Sequence, residues 1–291
     1  MLFLRKESIM LYSYLLLYLE KDASVAWQML QEHPLDAKTH LMDAFTFASV
    51  AAKSGHNDAA LKVLNNAQAF PTWQQFPFLE FRLANLLLRK LDPSASIHFE
   101  RFLANYEGQK DIQATHLRLA WCALLLQDEK KYYDHLNRIS KSGKNLSGRD
   151  HDAIYTQQLG FIPHTDLVKA RLLFDGGYYT EAQKLILAHQ EKDFNSIYEK
   201  LDWLYRKARL EHQLKQYAAA LKSYQEVVAR GAYQSYYFSC NAALQMGLIF
   251  EQQNQFHKAR IYYQKCLEIE PDIYKNSLHM AAKAGLQRIG K

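Results

Sequence analysis

The sequence is poor in the residues that interrupt or cross-link a chain. Its 291 residues include six prolines, eleven glycines and three cysteines: Cys122, Cys240 and Cys266. The cysteines are odd in number, far apart and without a Cys-x-x-Cys pair, which argues against a disulfide framework. This predicts either buried helix residues in a reducing compartment or inert thiols. The few prolines and glycines stand between periodic segments. We therefore predict one continuous array over residues 1–291, without a low-complexity linker.

Strong charge and long apolar runs are also missing. The formal net charge of +6 is mild for this length, and lysine and arginine are dispersed among acidic residues, so we predict no nucleic-acid partner. The strongest apolar run, Ile9–Leu19, is too short to span a bilayer and lacks a signal-peptide cleavage site. We expect no membrane span and a cytoplasmic protein by default. A periplasmic location applies if the chain is a piece of a longer protein.

Recognisable catalytic and metal-binding motifs are absent from the sequence. There is no His-Glu-x-x-His and no Gly-x-Ser-x-Gly, and the twelve histidines are scattered. The segment Gly143–Asp150 has the outer spacing of a phosphate-binding loop but lacks its Gly-Lys-Ser/Thr ending. We predict no enzyme activity, no cofactor and no metal.

What the sequence does contain is an internal repeat. Lys169–Leu172 (KARL) recurs as Lys207–Leu210, a period of 207 − 169 = 38, and each copy is followed by an aromatic residue, Tyr179 or Tyr217. Strand-like alternation is nearly absent, and helix-period apolar spacing continues almost throughout. Helices of a hairpin cross closely only where side chains are small, and this role is assigned to Ala170, Ala182, Ala208, Ala220, Gly247 and Ala259.

The last repeat shows the spacing most clearly. It reads Ala243-x2-Met246-Gly247-x2-Phe250, followed by Ala259-x3-Tyr263-x2-Cys266-x4-Pro271. This is the spacing of a tetratricopeptide repeat (TPR), in which two antiparallel helices must stack on neighbours to bury their apolar faces. We predict an all-α, TPR-like α-solenoid of about seven antiparallel hairpins with a C-terminal capping helix.

The repeat phasing predicts four regions. Residues 1–140 are N-terminal hairpins, 141–163 a loop with one inserted helix, 164–271 the three best-matching hairpins and 272–291 the capping helix. The hairpin helices are expected at Leu2–Leu19 with Ala23–Gln31, Asp36–Lys53 with Asp58–Ala69, Phe76–Lys90 with Pro93–Tyr106, Asp111–Leu126 with Glu129–Ile139, His164–Phe174 with Tyr178–His189, Ser196–Leu214 with Tyr217–Arg230, and Gln234–Gln253 with Phe256–Ile269. The inserted helix is expected at Arg149–Leu159.

Most of the chain resembles uncharacterised TPR proteins of Bacteroidetes-type bacteria. The segments that carry the resemblance are Lys169–Tyr179, Asn241–Glu251, Tyr274–Ser277, Ala282–Leu286, Phe99–Leu103, Gly108-Gln109 and Leu119–Trp121. These segments are structural, so the resemblance implies a fold and no activity. Members of that family are longer at the N-terminus, which implies that this chain is truncated or a short homologue.

Such arrays usually hold another protein, so we predict a non-catalytic scaffold that binds a protein or peptide in its concave groove. Arg171 and Arg209 follow equivalent small residues and are expected at the groove, where two guanidiniums could grip a carboxylate. Pairing with acids of the chain itself, such as Asp202 or Glu211, is the alternative. The other groove candidates are Tyr205, Trp121, Phe81 and Asn85.

Two further functions stay open at this point. The run Ile9–Leu19 is apolar on nearly every side, which is typical of a helix covered on several faces. A second copy of the chain, or missing upstream helices, would then contact Leu11, Leu15, Leu16 and Tyr18. The other alternative is a helical enzyme or small-molecule-binding protein with an unrecognised site.

Overall fold

A computed structural model describes residues 6–17, 23–32 and 40–290. Over these residues the chain forms sixteen α-helices and no strand, which confirms the all-α, TPR-like prediction. The predicted helix ends Leu2, Leu19 and Asp36 lie outside the described residues, and so does Tyr18.

The chain divides into two compact units. Unit 1 comprises Met1–Gly160 and Leu172–Tyr178, and unit 2 comprises Phe161–Arg171 and Tyr179–Lys291. That both belong to one continuous array stays a prediction. Unit 1 contains α1 (Lys6–Leu15), α2 (Ala23–Glu32), α3 (Leu41–Lys53), α4 (Asn57–Ala67), α5 (Pro77–Arg89), α6 (Ala95–Asn105), α7 (Ile112–Leu125), α8 (Glu129–Arg138) and α9 (Gly148–Leu159).

Helix α10 (Thr165–Gly176) begins in unit 2 and ends in unit 1. The rest of unit 2 is a series of helices that pack on their neighbours in chain order. They are α11 (Tyr179–Leu187), α12 (Ile197–Gln213), α13 (Tyr217–Gly231), α14 (Tyr237–Gln252), α15 (Phe256–Glu268) and α16 (Lys275–Ile289).

One backbone turn recurs between the two helices of successive hairpins. A residue with positive φ follows the first helix, and the next backbone N–H donates to the carbonyl five residues earlier, as Asp92 does to Leu87. This is the hydrogen bond of a Schellman motif, which satisfies a helix carbonyl that would otherwise have no partner. In these hairpin turns, the residue with positive φ is Gly55, Leu91, Gln127, Gly177, Lys215 or Asn254. The repeat is therefore visible in the backbone as well as in the sequence.

The core of unit 2 is built around Tyr263 of α15. Its ring is fully buried between two glycines, Gly247 of α14 and Gly285 of α16. A Cβ atom at either glycine would lie 2.5 Å from a ring carbon. The Tyr263 hydroxyl donates to Glu251 of α14, and Glu251 accepts two hydrogen bonds from Arg288 of α16, at 2.7 and 2.8 Å. Three helices thus meet on one aromatic side chain.

In unit 1 the inserted helix α9 packs on α7. Asp150, near the start of α9, accepts hydrogen bonds from the backbone N–H groups of Asp111 and Ala114, at 3.0 and 3.1 Å. It therefore caps the N-terminus of another helix, where an acceptor satisfies exposed N–H groups and the helix dipole favours negative charge. The guanidinium of Arg149 donates two hydrogen bonds to the carboxylate of Asp111, at 2.7 and 2.8 Å. Residues 113–124 of α7 are all buried, and α7 packs on α5, α6 and α8 as well as on α9.

Candidate functional site

The two predicted groove arginines lie in unit 2 beside a buried acidic residue. Arg171 of α10 and Arg209 of α12 are both half-buried. Asp202 of α12 is fully buried, and its direct partner is Arg206, whose Nη2 lies 2.8 Å from one carboxylate oxygen and 2.9 Å from the other. Burial raises the pKa of Asp202, and the positive charges of Arg206, Arg171 and Arg209 oppose that rise. Three guanidiniums therefore act on one carboxylate.

The buried acid is one that the sequence offered as an intramolecular partner of the two arginines, and the charges of Arg171 and Arg209 both act on it. Asp202 accepts hydrogen bonds from Arg206, one helical turn away. An i, i+4 pair of this kind is visible in the sequence once the helix is assigned. The side chain of Arg206 is only 8% exposed, so it belongs to the interior, whereas Arg171 and Arg209 have more solvent contact.

The side chain of Tyr205 is buried among other aromatic rings and does not form an exposed groove surface. Its side chain is 2% exposed and packs against Tyr224, Tyr237 and Phe238. The guanidinium of Arg209 lies 5.9 Å from the centroid of the Tyr205 ring, within range of a cation–π interaction. Tyr205 can therefore position Arg209, but it offers little surface to a partner.

The three candidates of unit 1 are located in its interior. Phe81 and Trp121 are 3% and 4% exposed, because α5 and α7 are covered by neighbouring helices and, for α7, by α9 as well. Asn85 is half-buried and accepts a hydrogen bond from Arg118 at 3.4 Å. The face that the sequence assigned to a groove is thus largely packed in this part of unit 1.

An apolar pocket on unit 1 was not anticipated from the sequence. It has a volume of about 200 Å³ and is lined by residues at the start of α3 and around the start of α5. Met42 and Phe76 are substantially exposed at its edge. The lining residues are Leu41, Met42, Phe45, Phe76, Phe78 and Leu79. These residues lie in or next to α3 and α5, each the first helix of its hairpin, and they come together only because the two helices are neighbours in the fold.

Two groups of ionisable side chains could support chemistry. In unit 1 the Nδ1 atoms of His116 and His135 lie 3.4 Å apart, and burial together with the positive charge of His135 and Arg138 lowers the pKa of His116 to about 4. His116 is therefore neutral at pH 7. In unit 2, His164, Asp166 and His189 each place one donor atom within 4.8 Å of the others.

The cysteines are free and buried. Cys240 and Cys266 face each other across α14 and α15 with their Sγ atoms 3.6 Å apart. Burial raises the pKa of the Cys122 thiol to about 12, so it stays protonated at neutral pH and is a poor nucleophile.

Comparison with known proteins identifies the architecture at one end of the chain. Residues 241–273 match a family model described as the tetratricopeptide repeat. This segment is similar to a TPR. It contains most of α14, all of α15 and the turn between them, which is the hairpin that holds Tyr263. A search of curated proteins finds no match to the chain.

The TPR match supports a protein–protein interaction module in general terms, and helical repeats of this kind are typically non-catalytic. Within the described residues, no helix combines the length and the apolar composition needed to cross a bilayer.

Proposed function

We propose that the chain is a non-catalytic scaffold that binds an acidic segment of a partner protein beside Arg171 and Arg209, here called the arginine face. The observation that carries the proposal is the local charge: the positive charges of Arg171, Arg206 and Arg209 all act on the carboxylate of Asp202. The TPR match at residues 241–273 supports a protein as the class of ligand.

The two arginines suit carboxylate recognition better than lysines would. A guanidinium presents several N–H donors in a plane and binds a carboxylate through two parallel hydrogen bonds. Arg209 rests against the Tyr205 ring, and that ring is fixed by its aromatic neighbours. A side chain that is already positioned loses less conformational entropy on binding, which strengthens the complex.

We expect simultaneous replacement of Arg171 and Arg209 by alanine to weaken partner binding by at least about 100-fold. A hydrogen bond to a charged group contributes about 1.5–3 kcal/mol, and two such contacts together give this factor. The tagged full-length chain would be incubated with native cell extract, and bound proteins would be quantified for the parent and the variant.

The matched control replaces Lys222 and Arg260, two exposed basic residues of α13 and α15, by alanine. It removes the same charge from unit 2 and should leave capture unchanged. Far-ultraviolet circular dichroism should show the same helical content for all three chains. Equal capture by the parent and the arginine-face variant would assign Arg171 and Arg209 to structure instead of recognition.

A second candidate function is self-assembly through α1. Leu11 and Leu15 are 59% and 39% exposed, whereas Leu16 is half-buried against the small core formed with α2 and α3. An apolar strip on a helix is stabilised when another surface covers it. We therefore expect Leu11→Glu to lower the molar mass measured by light scattering if two copies meet here. An identical monomeric mass for both chains would remove this candidate.

A further inference from the structure

Three potential metal ligands converge in unit 2. His164 immediately precedes α10, Asp166 lies in its first turn and His189 follows α11. Their donor atoms all lie within 4.8 Å of one another. Two of the residues lie at the start of α10 and the third lies just after α11, so the three come together only in the folded chain.

The closest pair in the cluster is already in contact. His189 Nε2 lies 2.9 Å from Asp166 Oδ2. Burial raises the pKa of Asp166, but the hydrogen bond from His189 and the charge of Lys169 outweigh this effect and hold that pKa below its usual value. One carboxylate oxygen and one imidazole nitrogen of the cluster are thus already adjacent.

His164 is the third potential ligand of the cluster. Its ring centroid lies 4.9 Å from that of His189, with the two planes at 80°. The Nδ1 atom of His164 is buried and has no hydrogen-bond partner among the described residues. A buried nitrogen without a partner destabilises a folded chain, so a ligand that satisfies it would be favoured.

We propose that His164, Asp166 and His189 bind a divalent transition-metal ion, with zinc preferred. Two imidazoles and one carboxylate form a donor set that zinc takes in proteins, whereas magnesium and calcium prefer sites made of oxygen alone. Three protein ligands leave a fourth position for water or for a group from a partner.

Binding needs only a local adjustment of the cluster. Tetrahedral zinc with bonds of about 2.0–2.1 Å places its donors about 3.4 Å apart. A separation of 4.8 Å must therefore shrink by about 1.4 Å, and the 2.9 Å contact between His189 and Asp166 must widen by about 0.5 Å. The two histidines and the aspartate are half-buried. The ring of the buried Phe194 packs against both imidazoles, with centroid distances of 5.2 and 5.7 Å. This apolar wall limits the access of water on one side.

The charged neighbours are compatible with the metal. Lys169 contacts the other carboxylate oxygen of Asp166, Oδ1, at 3.4 Å, and leaves Oδ2 for the ion. His189 Nδ1 lies 3.9 Å from a carboxylate oxygen of Asp193. A metal-bound imidazole commonly donates its other N–H to a carboxylate, which orients the ring and increases its basicity. Asp193 is placed to take this role after a small movement.

The test is a zinc titration of the metal-free full-length chain by isothermal calorimetry. We expect one equivalent to bind with micromolar or tighter affinity, and His189→Ala and His164→Ala each to weaken binding by at least about 10-fold. Cobalt(II), added in place of zinc, should give visible absorption bands characteristic of nitrogen and oxygen ligands in a site of low coordination number.

His257→Ala is the matched control because His257 is exposed on α15, outside the cluster. It should bind zinc as the parent does. Circular dichroism checks the fold, and Asp166→Asn, which changes the charge but hardly the volume, replaces any histidine variant that misfolds. Absence of a one-equivalent zinc site would overturn the proposal. Unchanged affinity in His189→Ala, or tighter binding of magnesium than of zinc, would also overturn it.

Discussion

Gly247→Leu is expected to destabilise unit 2 by more than about 3 kcal/mol, beyond the usual range for overpacked cores. A Cβ atom at this position would lie 2.5 Å from the ring of Tyr263, and that ring cannot retreat because Gly285 closes the other side. The additional side-chain carbons of leucine would force α14 and α15 apart. Chemical denaturation of the full-length chain, followed by circular dichroism, measures the change.

Comparing Gly247→Ala with Gly148→Ala separates the effect of packing on stability from the effect of helix propensity. Alanine is favoured over glycine inside a helix by about 1 kcal/mol, so propensity alone predicts that Gly247→Ala gains stability. Steric contact with Tyr263 predicts a net loss instead. Gly148→Ala is the control, since a Cβ there meets no atom within 4 Å. If Gly247→Ala were as stable as the parent, the close helix contact at Tyr263 would be wrong.

Asp150→Ala is expected to destabilise unit 1 by about 3 kcal/mol or more. The substitution removes the acceptor for two backbone N–H groups at the start of α7, and each unsatisfied buried group costs about 1–3 kcal/mol. Helix α9 would then lose a polar attachment to α7. Denaturation monitored by circular dichroism gives the loss, and hydrogen exchange of residues 112–125 reports on α7 directly.

Asp150→Asn keeps one acceptor oxygen and should recover part of the stability. Asp134→Ala, on the exposed face of α8, removes the same charge without breaking a cap and should stay within about 0.5 kcal/mol of the parent. Equal losses for Asp150→Ala and Asp134→Ala would contradict the role of Asp150 as a cap for α7.

Helix positions were largely predictable because periodic apolar residues and turn residues are local signals. The predicted inserted helix Arg149–Leu159 is observed at Gly148–Leu159, and the predicted helix Glu129–Ile139 at Glu129–Arg138. Positive φ at Leu91 or Gln127 was less predictable, since these positions carry neither glycine nor asparagine. At these two positions the geometry of the hairpin turn imposes a positive φ that leucine and glutamine do not favour by themselves.

The candidate site was harder to predict because it depends on contacts between helices. Trp121 was assigned to a groove from its repeat position, but α9 packs on the same helix and α7 is buried. The cluster of His164, Asp166 and His189 has no short-range spacing that is typical of metal ligands, so it was not predicted from the sequence. Both results follow from tertiary packing.

The central claim, that an acidic partner binds at the arginine face, is tested most directly by photo-cross-linking in cells. A benzophenone amino acid would replace Gln213, one turn beyond Arg209 on α12, or Gln225 on the exposed side of α13. The account predicts a cross-linked partner from position 213, little from position 225, and loss of the product when Arg171 and Arg209 are alanine. Equal cross-linking at both positions, or a product that survives the arginine substitutions, would contradict it.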